Sequence, residues 1–158
     1  MISKPFFLLL ALISLPDTPE LNQKVIAYVD AVMGRSVGRG ECWDLAASAL
    51  DHAGAYLDKS NKKSIYVFGK EVNANKDEIF PGDILQLENV TLETVQGNTI
   101  ITEKMEHHTA IVYEVSGIGH YKIAHQNTSF SGRKVGVSEL NLEGLVKGKI
   151  IFYRPYHR

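Results

Sequence analysis

The sequence predicts an α+β protein in which N-terminal helices pack on a small antiparallel β-sheet. Two observations carry this. Apolar residues recur at helical spacing in two stretches before residue 54, and after residue 64 the chain turns to short strand-like runs divided by turn residues. Helices followed by strands is the order of an α+β domain, not of an alternating α/β one. The length of 158 residues suits one domain with its own core.

The first stretch, MISKPFFLLLALISLPDTPE, places a lysine before an apolar run from Phe6 to Leu15, broken by Pro16 and Asp17. That run is too short to span a bilayer and suits the core of a secretory leader, so residues 1–16 are expected to be a signal peptide. The remainder, residues 17–158, is then a single extracytoplasmic domain with no stable membrane span.

Residues 17–34 predict the first helix. Thr18 or Asp17 can cap it, Pro19 suits the first helical position, and Gly34 suits the exit. Leu21, Val25, Ile26, Val29, Val32 and Met33 form its apolar face. A glycine-containing loop, RSVGRG, leads into ECWDLAASALDHAG, a second helix that Gly54 ends. SIYVFGKEV predicts a short strand, and FPGDILQLENV a second one entered through a Pro-Gly-Asp turn. Asp83 is expected to set that turn. VTLETVQGNTIITEK predicts a hairpin around Gly97 and Asn98. HHTAIVYEV, GHYKIAHQN and GKIIFYRPY complete the strands.

The net charge of −1 and the lack of a basic stripe exclude nucleic acid as an expected partner. The chain has one cysteine, so no internal disulfide can form, and the thiol asks for another explanation. Cys42 opens the second helix. Unpaired N–H groups and aligned peptide dipoles favour negative charge at that end, and the thiolate is the attacking form of cysteine. Gly38 and Gly40 just before it allow close approach of a substrate backbone. The competing reading is a small buried hydrophobe.

Four of the six histidines, His107, His108, His120 and His125, lie in one region. Strand alternation sends His107 and His108 to opposite faces, so only one of them can share a pocket with Cys42. His108 is the expected one, because an adjacent antiparallel strand can bring His125 beside it. His108 would then take the thiol proton and return it to the leaving amine. His125 would fix its ring orientation, with Asn127 as the alternative third member. HExxH and paired CxxC spacings are missing, so neither a metal nor another cofactor is expected. NVT at Asn89 and NTS at Asn127 match the glycosylation sequon, and modification at Asn127 would conflict with a role in a cleft.

The ordered blocks GECWDLA, PGDIL, HTAIV and IAHQN resemble those of the papain-like CHAP amidases and the NlpC-type cell-wall endopeptidases. The resemblance implies a papain-like fold with a cysteine-bearing helix on an antiparallel sheet. It implies Cys42 as nucleophile, His108 as base and His125 as the orienting residue, in a Cys-His-His hydrolase. The implied chemistry is amide hydrolysis through a thioester, on a peptide or peptidoglycan-type substrate. Trp43-Asp44 replaces the usual serine-glycine, Glu41 stands where aspartate is usual, and residues 87–105 form a longer hairpin than such domains carry. The alternative is a papain-like scaffold that binds a partner without catalysis.

Overall fold

The computed structural model describes residues 17–158, so the expected signal segment lies outside the described residues. Two α-helices precede the main sheet: α1 spans Glu20–Val32 and α2 spans Cys42–Ala53. Six strands follow as β1 (Lys70–Val72), β2 (Ile84–Gln96), β3 (Thr99–Gly117), β4 (His120–His125), β5 (Gly136–Asn141) and β6 (Leu145–Arg154). They form one sheet in the order β1-β6-β2-β3-β4-β5, with every neighbouring pair antiparallel. The α+β class, with helices before an antiparallel sheet, agrees with the sequence reading.

Apolar spacing explains the helices. Leu21, Val25 and Val29 are buried along one face of α1, and Leu45, Ala46, Ala49, Leu50 and Ala53 along α2. The small residues of α2 let α1 lie close against it. Pro19 is the N-cap of α1, so the helix starts one position later than the sequence suggested, and no side chain caps that end. Gly54 ends α2 in the left-handed region at φ 75°, as expected.

Both faces of the sheet are buried. The helix side holds Ile84, Ile111, Ala124 and Tyr153, packed with α1 and α2. The far side holds Leu85, Leu87, Ala110, Val112, Ile123 and Phe152, joined by Val90, Leu92, Tyr121 and Leu140. Replacing Leu50, which is wholly buried, with alanine would cost about 2–5 kcal/mol of stability.

Three local readings change. Most of SIYVFGKEV is not strand: Ser64–Tyr66 is one short 3-10 turn, and only Lys70–Val72 pairs, against β6. The PGDIL strand and the expected hairpin are continuous, giving β2 and β3 joined at Gly97-Asn98 with Gln96 opposite Thr99. β5, which the sequence pattern did not reveal, forms the sheet edge beside β4.

Asp83 does more than set a turn. It is fully buried, and its carboxylate accepts from Asn22 Nδ2 at 2.8 Å, the Phe80 amide at 2.9 Å, and Arg154 Nε and Nη2 at 3.1 and 2.9 Å. The clamp ties α1, the start of β2 and the end of β6 together. Gly82 must be glycine here: φ is +88°, and an added Cβ would lie 2.5 Å from the Asn22 carbonyl oxygen.

Candidate active site

Cys42 occupies the first position of α2, with Glu41 as the N-cap in extended conformation. The entry loop is fixed by polar contacts with few degrees of freedom. Asp44 Oδ2 accepts from the Arg39 amide at 2.8 Å and the Glu41 amide at 3.4 Å, while Arg39 Nη2 donates to its Oδ1 at 3.0 Å. Burial acts to raise the Asp44 pKa, but these donors outweigh it and hold the carboxyl below its ordinary value. Gln126, also fully buried, donates to the Val37 and Glu41 carbonyls at 2.9 and 2.8 Å and accepts from the Val37 amide at 3.1 Å. The end of β4 therefore holds the loop from Val37 to Glu41 and the start of α2.

Trp43 turns its Nε1 to the Ile65 carbonyl at 2.7 Å, which brings the Ser64–Tyr66 turn to the mouth of the site. The resulting cavity, about 480 Å³, is lined by Cys42, Trp43, Tyr66, His107 and Asn127, with Arg39, Glu41 and Lys59 at its polar margin.

His107, not His108, shares this cavity with Cys42. On β3, His107, Thr109 and Ile111 face the helices, and His108, Ala110 and Val112 face the other core. The expectation that the two histidines diverge holds, but the placement of His108 beside Cys42 does not. Sequence alone cannot tell which face meets the helices, because both faces of this strand are apolar and buried.

His107 has an orienting partner that sequence reasoning missed. Glu88 stands directly opposite it on β2, and Glu88 Oε2 is 2.9 Å from His107 Nδ1. The next pair on the same face, Gln86 and Thr109, supports the first. Thr109 Oγ1 donates to Gln86 Oε1 at 2.7 Å, and Gln86 Nε2 donates to Glu88 Oε1 at 2.8 Å. The same amide lies 3.3 Å from His107 Nδ1 and 3.5 Å from Nε2, a long contact that leaves Nε2 weakly held. Tyr66 meets the His107 ring edge-on, with centroids 4.3 Å apart.

The signal for Glu88 was available in part. ILQLENV alternates Gln86 and Glu88 onto one face, but only the register with β3 shows that this face carries His107. Immediately after Glu88 the strand breaks step: Asn89 has φ 50°, and the β2–β6 register shifts between Glu88 and Thr91. Such bulges bend a strand and re-aim its side chains.

His108 and His125 do come together, as expected, on the face away from Cys42. His108 Nε2 is 2.9 Å from His125 Nδ1, and His125 Nε2 is 2.8 Å from Ser138 Oγ. Both rings are nearly buried, at 8% and 5% exposure. Burial first, then the neighbouring His107, lowers the His108 pKa to about 4; burial, then His108, lowers that of His125 to about 3. Both are neutral at neutral pH. Asn127 bonds to neither histidine. Its Nδ2 donates to Glu41 Oε2 at 2.8 Å, and its backbone takes φ 61°. Among the described residues, no group of three or more His, Cys, Asp and Glu converges as a metal site, and no helix is long and apolar enough to cross a membrane.

Comparison with known proteins places the chain in a family. The chain is 33% identical over 150 residues to "Altered inheritance of mitochondria protein 3" of Debaryomyces hansenii, covering 85% of this chain and 16% of that protein. The chain thus spans a small part of that relative. Among solved structures it is similar to Ly7917, at 20% identity and TM-score 0.47, covering 84% of this chain and 62% of the other. A second structure, of Ly7917 with the hydrolyzing product of MDP, matches at 20% identity and TM-score 0.49, covering 85% and 62%. The family model for the AIM3/BBC1 cysteine proteinase-fold domain matches residues 19–158, and the chain belongs to that family.

Proposed function

We propose that this domain is a cysteine-dependent amide hydrolase in which Cys42 is the nucleophile, His107 the general base and Glu88 the group that orients His107. One observation carries the reading: the thiol that opens α2 and a carboxylate-held histidine line the same cavity. With His107 Nδ1–H donated to Glu88, Nε2, which meets only the long 3.5 Å contact from Gln86, is the nitrogen that takes the thiol proton. The sulfur then attacks the amide carbonyl, and the backbone N–H of Cys42, which has no acceptor within the helix, can donate to the oxyanion. The proton on His107 passes to the leaving amine as the C–N bond breaks. Water hydrolyses the thioester, with His107 again accepting a proton. The proposed substrate class is a peptide amide.

A second reading, a binding domain with an inert Cys42, draws on the curated relative, whose length this domain covers by only 16%. Pooled peptide amides incubated with the protein and followed by mass spectrometry separate the two. The hydrolase reading expects products with the wild type and none with Cys42→Ala. A wild type that yields no product while Cys42 remains open to thiol reagents favours the binding domain.

A further inference from the structure

The His108–His125 pair is not used by the Cys42 site, yet it lines a cavity of its own. That cavity, about 410 Å³ on the far side of the sheet, holds Ser138 beside His125. Leu92, Met105, Ile123 and Leu140 form its apolar part. Phe130 stands at its edge, 55% exposed, with its ring centroid 5.3 Å from that of His125.

We propose that Ser138, His125 and His108 form a second acyl-accepting site, independent of Cys42, for esters with an apolar acyl group. The three side chains form one unbranched chain of hydrogen bonds, 2.8 Å from Ser138 Oγ to His125 Nε2 and 2.9 Å from His125 Nδ1 to His108 Nε2. Its members come from three adjacent strands. β4 supplies His125, β3 supplies His108, and β5 supplies Ser138, which stands opposite Ile123 of β4. A nucleophile, a base and an orienting group in that order make the general arrangement for nucleophilic catalysis.

The protonation states permit it. A neutral His125 with its proton on Nδ1, donated to His108, leaves Nε2 to accept from the Ser138 hydroxyl. On attack, the Ser138 Oγ–acyl bond forms, the ester C–O bond breaks, and the serine proton passes through His125 Nε2 to the departing alcohol. Water then releases the acid and restores the hydroxyl. The burial that keeps both rings neutral also makes an imidazolium costly. A base so weakened suits an ester of an acidic alcohol and not an amide. The apolar part of the wall suits an apolar acyl group, while Glu103, Lys104 and Glu139 also line the cavity.

The test uses the full chain with a biotinylated alkyl fluorophosphonate, which labels nucleophilic serines, and p-nitrophenyl butyrate. The wild type and Cys42→Ala are expected to label at Ser138 by peptide mapping and to release p-nitrophenol. Ser138→Ala is expected to do neither, and His125→Gln to label at least about tenfold more slowly. Thermal unfolding of each variant checks that it is folded. A folded wild type that does not label overturns the proposal, as does label persisting in Ser138→Ala. Ester turnover lost in Cys42→Ala but kept in Ser138→Ala would also overturn it and assign the esterase activity to the thiol.

Discussion

At the scale of single residues, the choice between His107 and His108 decides the chemistry. They are adjacent in sequence, and the sheet separates them. One is half exposed, paired with Glu88, and in the cavity of Cys42; the other is buried against His125. If Glu88 sets the His107 tautomer, Glu88→Gln should shift the ring away from a single Nδ1–H form. ¹⁵N chemical shifts of the histidine ring nitrogens report that directly. Unchanged shifts would remove Glu88 from the account.

The buried pair makes a separate prediction about pH. In the unfolded chain both rings take up protons near pH 6.5, whereas in the folded protein His108 and His125 hold out to about 4 and about 3. The unfolded state therefore binds more protons as pH falls through this window. Their contribution to stability is complete above about pH 6.5 and is lost progressively as pH falls toward about 4. Urea unfolding at a series of pH values should show that loss, and His108→Gln should flatten it. An identical slope in the variant would mean that other groups control the acid limb.

At the scale of elements, the Asp83–Arg154 clamp fixes where α1 sits on the sheet. Arg154→Met leaves a buried carboxylate without its cation, a change that costs about 3–5 kcal/mol in comparable buried pairs. Denaturant unfolding measures it, and a cost below about 1 kcal/mol would show that the pair acts as a surface one. The hairpin tip behaves differently. Residues 93–104 are exposed, with Val95 and Ile100 at 72% and 61%, and no second layer among the described residues covers them. Removing Thr94, Val95, Gln96, Thr99, Ile100 and Ile101 keeps the Gly97-Asn98 turn in register with Glu93 opposite Thr102. The shortened protein is expected to keep its unfolding midpoint nearly unchanged. A large loss would mean that the arm carries part of the core.

The elements legible from sequence were those with one buried face or a turn signal. α1 and α2 follow from their apolar spacing, and the Gly97-Asn98 hairpin from its two-residue turn. SIYVFGKEV misled because Ile65 and Tyr66 lie on a loop fixed by Trp43, where burial comes from tertiary contact and not from pairing. β5 was missed because GVSELN is short and mixed in polarity, and it gains its identity from β4 alone.

At the scale of the whole molecule, the sheet separates two polar clusters. The helix side carries Cys42, His107 and Glu88, and the far side carries His108, His125 and Ser138. The α+β class, the cysteine at a helix start and the meeting of His108 with His125 could all be read from the residues, and the papain-like fold from the resemblance of their ordered blocks. Which histidine meets the cysteine could not. AIV and ILQL are apolar on both sides, and strands buried on both faces lack the alternation that would orient them. The distinction belongs to the assembled fold, in which Gln126, just after β4, holds the loop from Val37 to Glu41 that leads into α2.

The central claim is that His107, and not His108, activates Cys42. The most direct measurement is the pH dependence of Cys42 alkylation by iodoacetamide in the wild type, His107→Ala and His108→Ala, with folding of each checked by circular dichroism. The account predicts that His107→Ala slows alkylation at neutral pH by at least about tenfold and that His108→Ala leaves the rate near that of the wild type. A folded His107→Ala that reacts like the wild type, or a loss confined to His108→Ala, would contradict it.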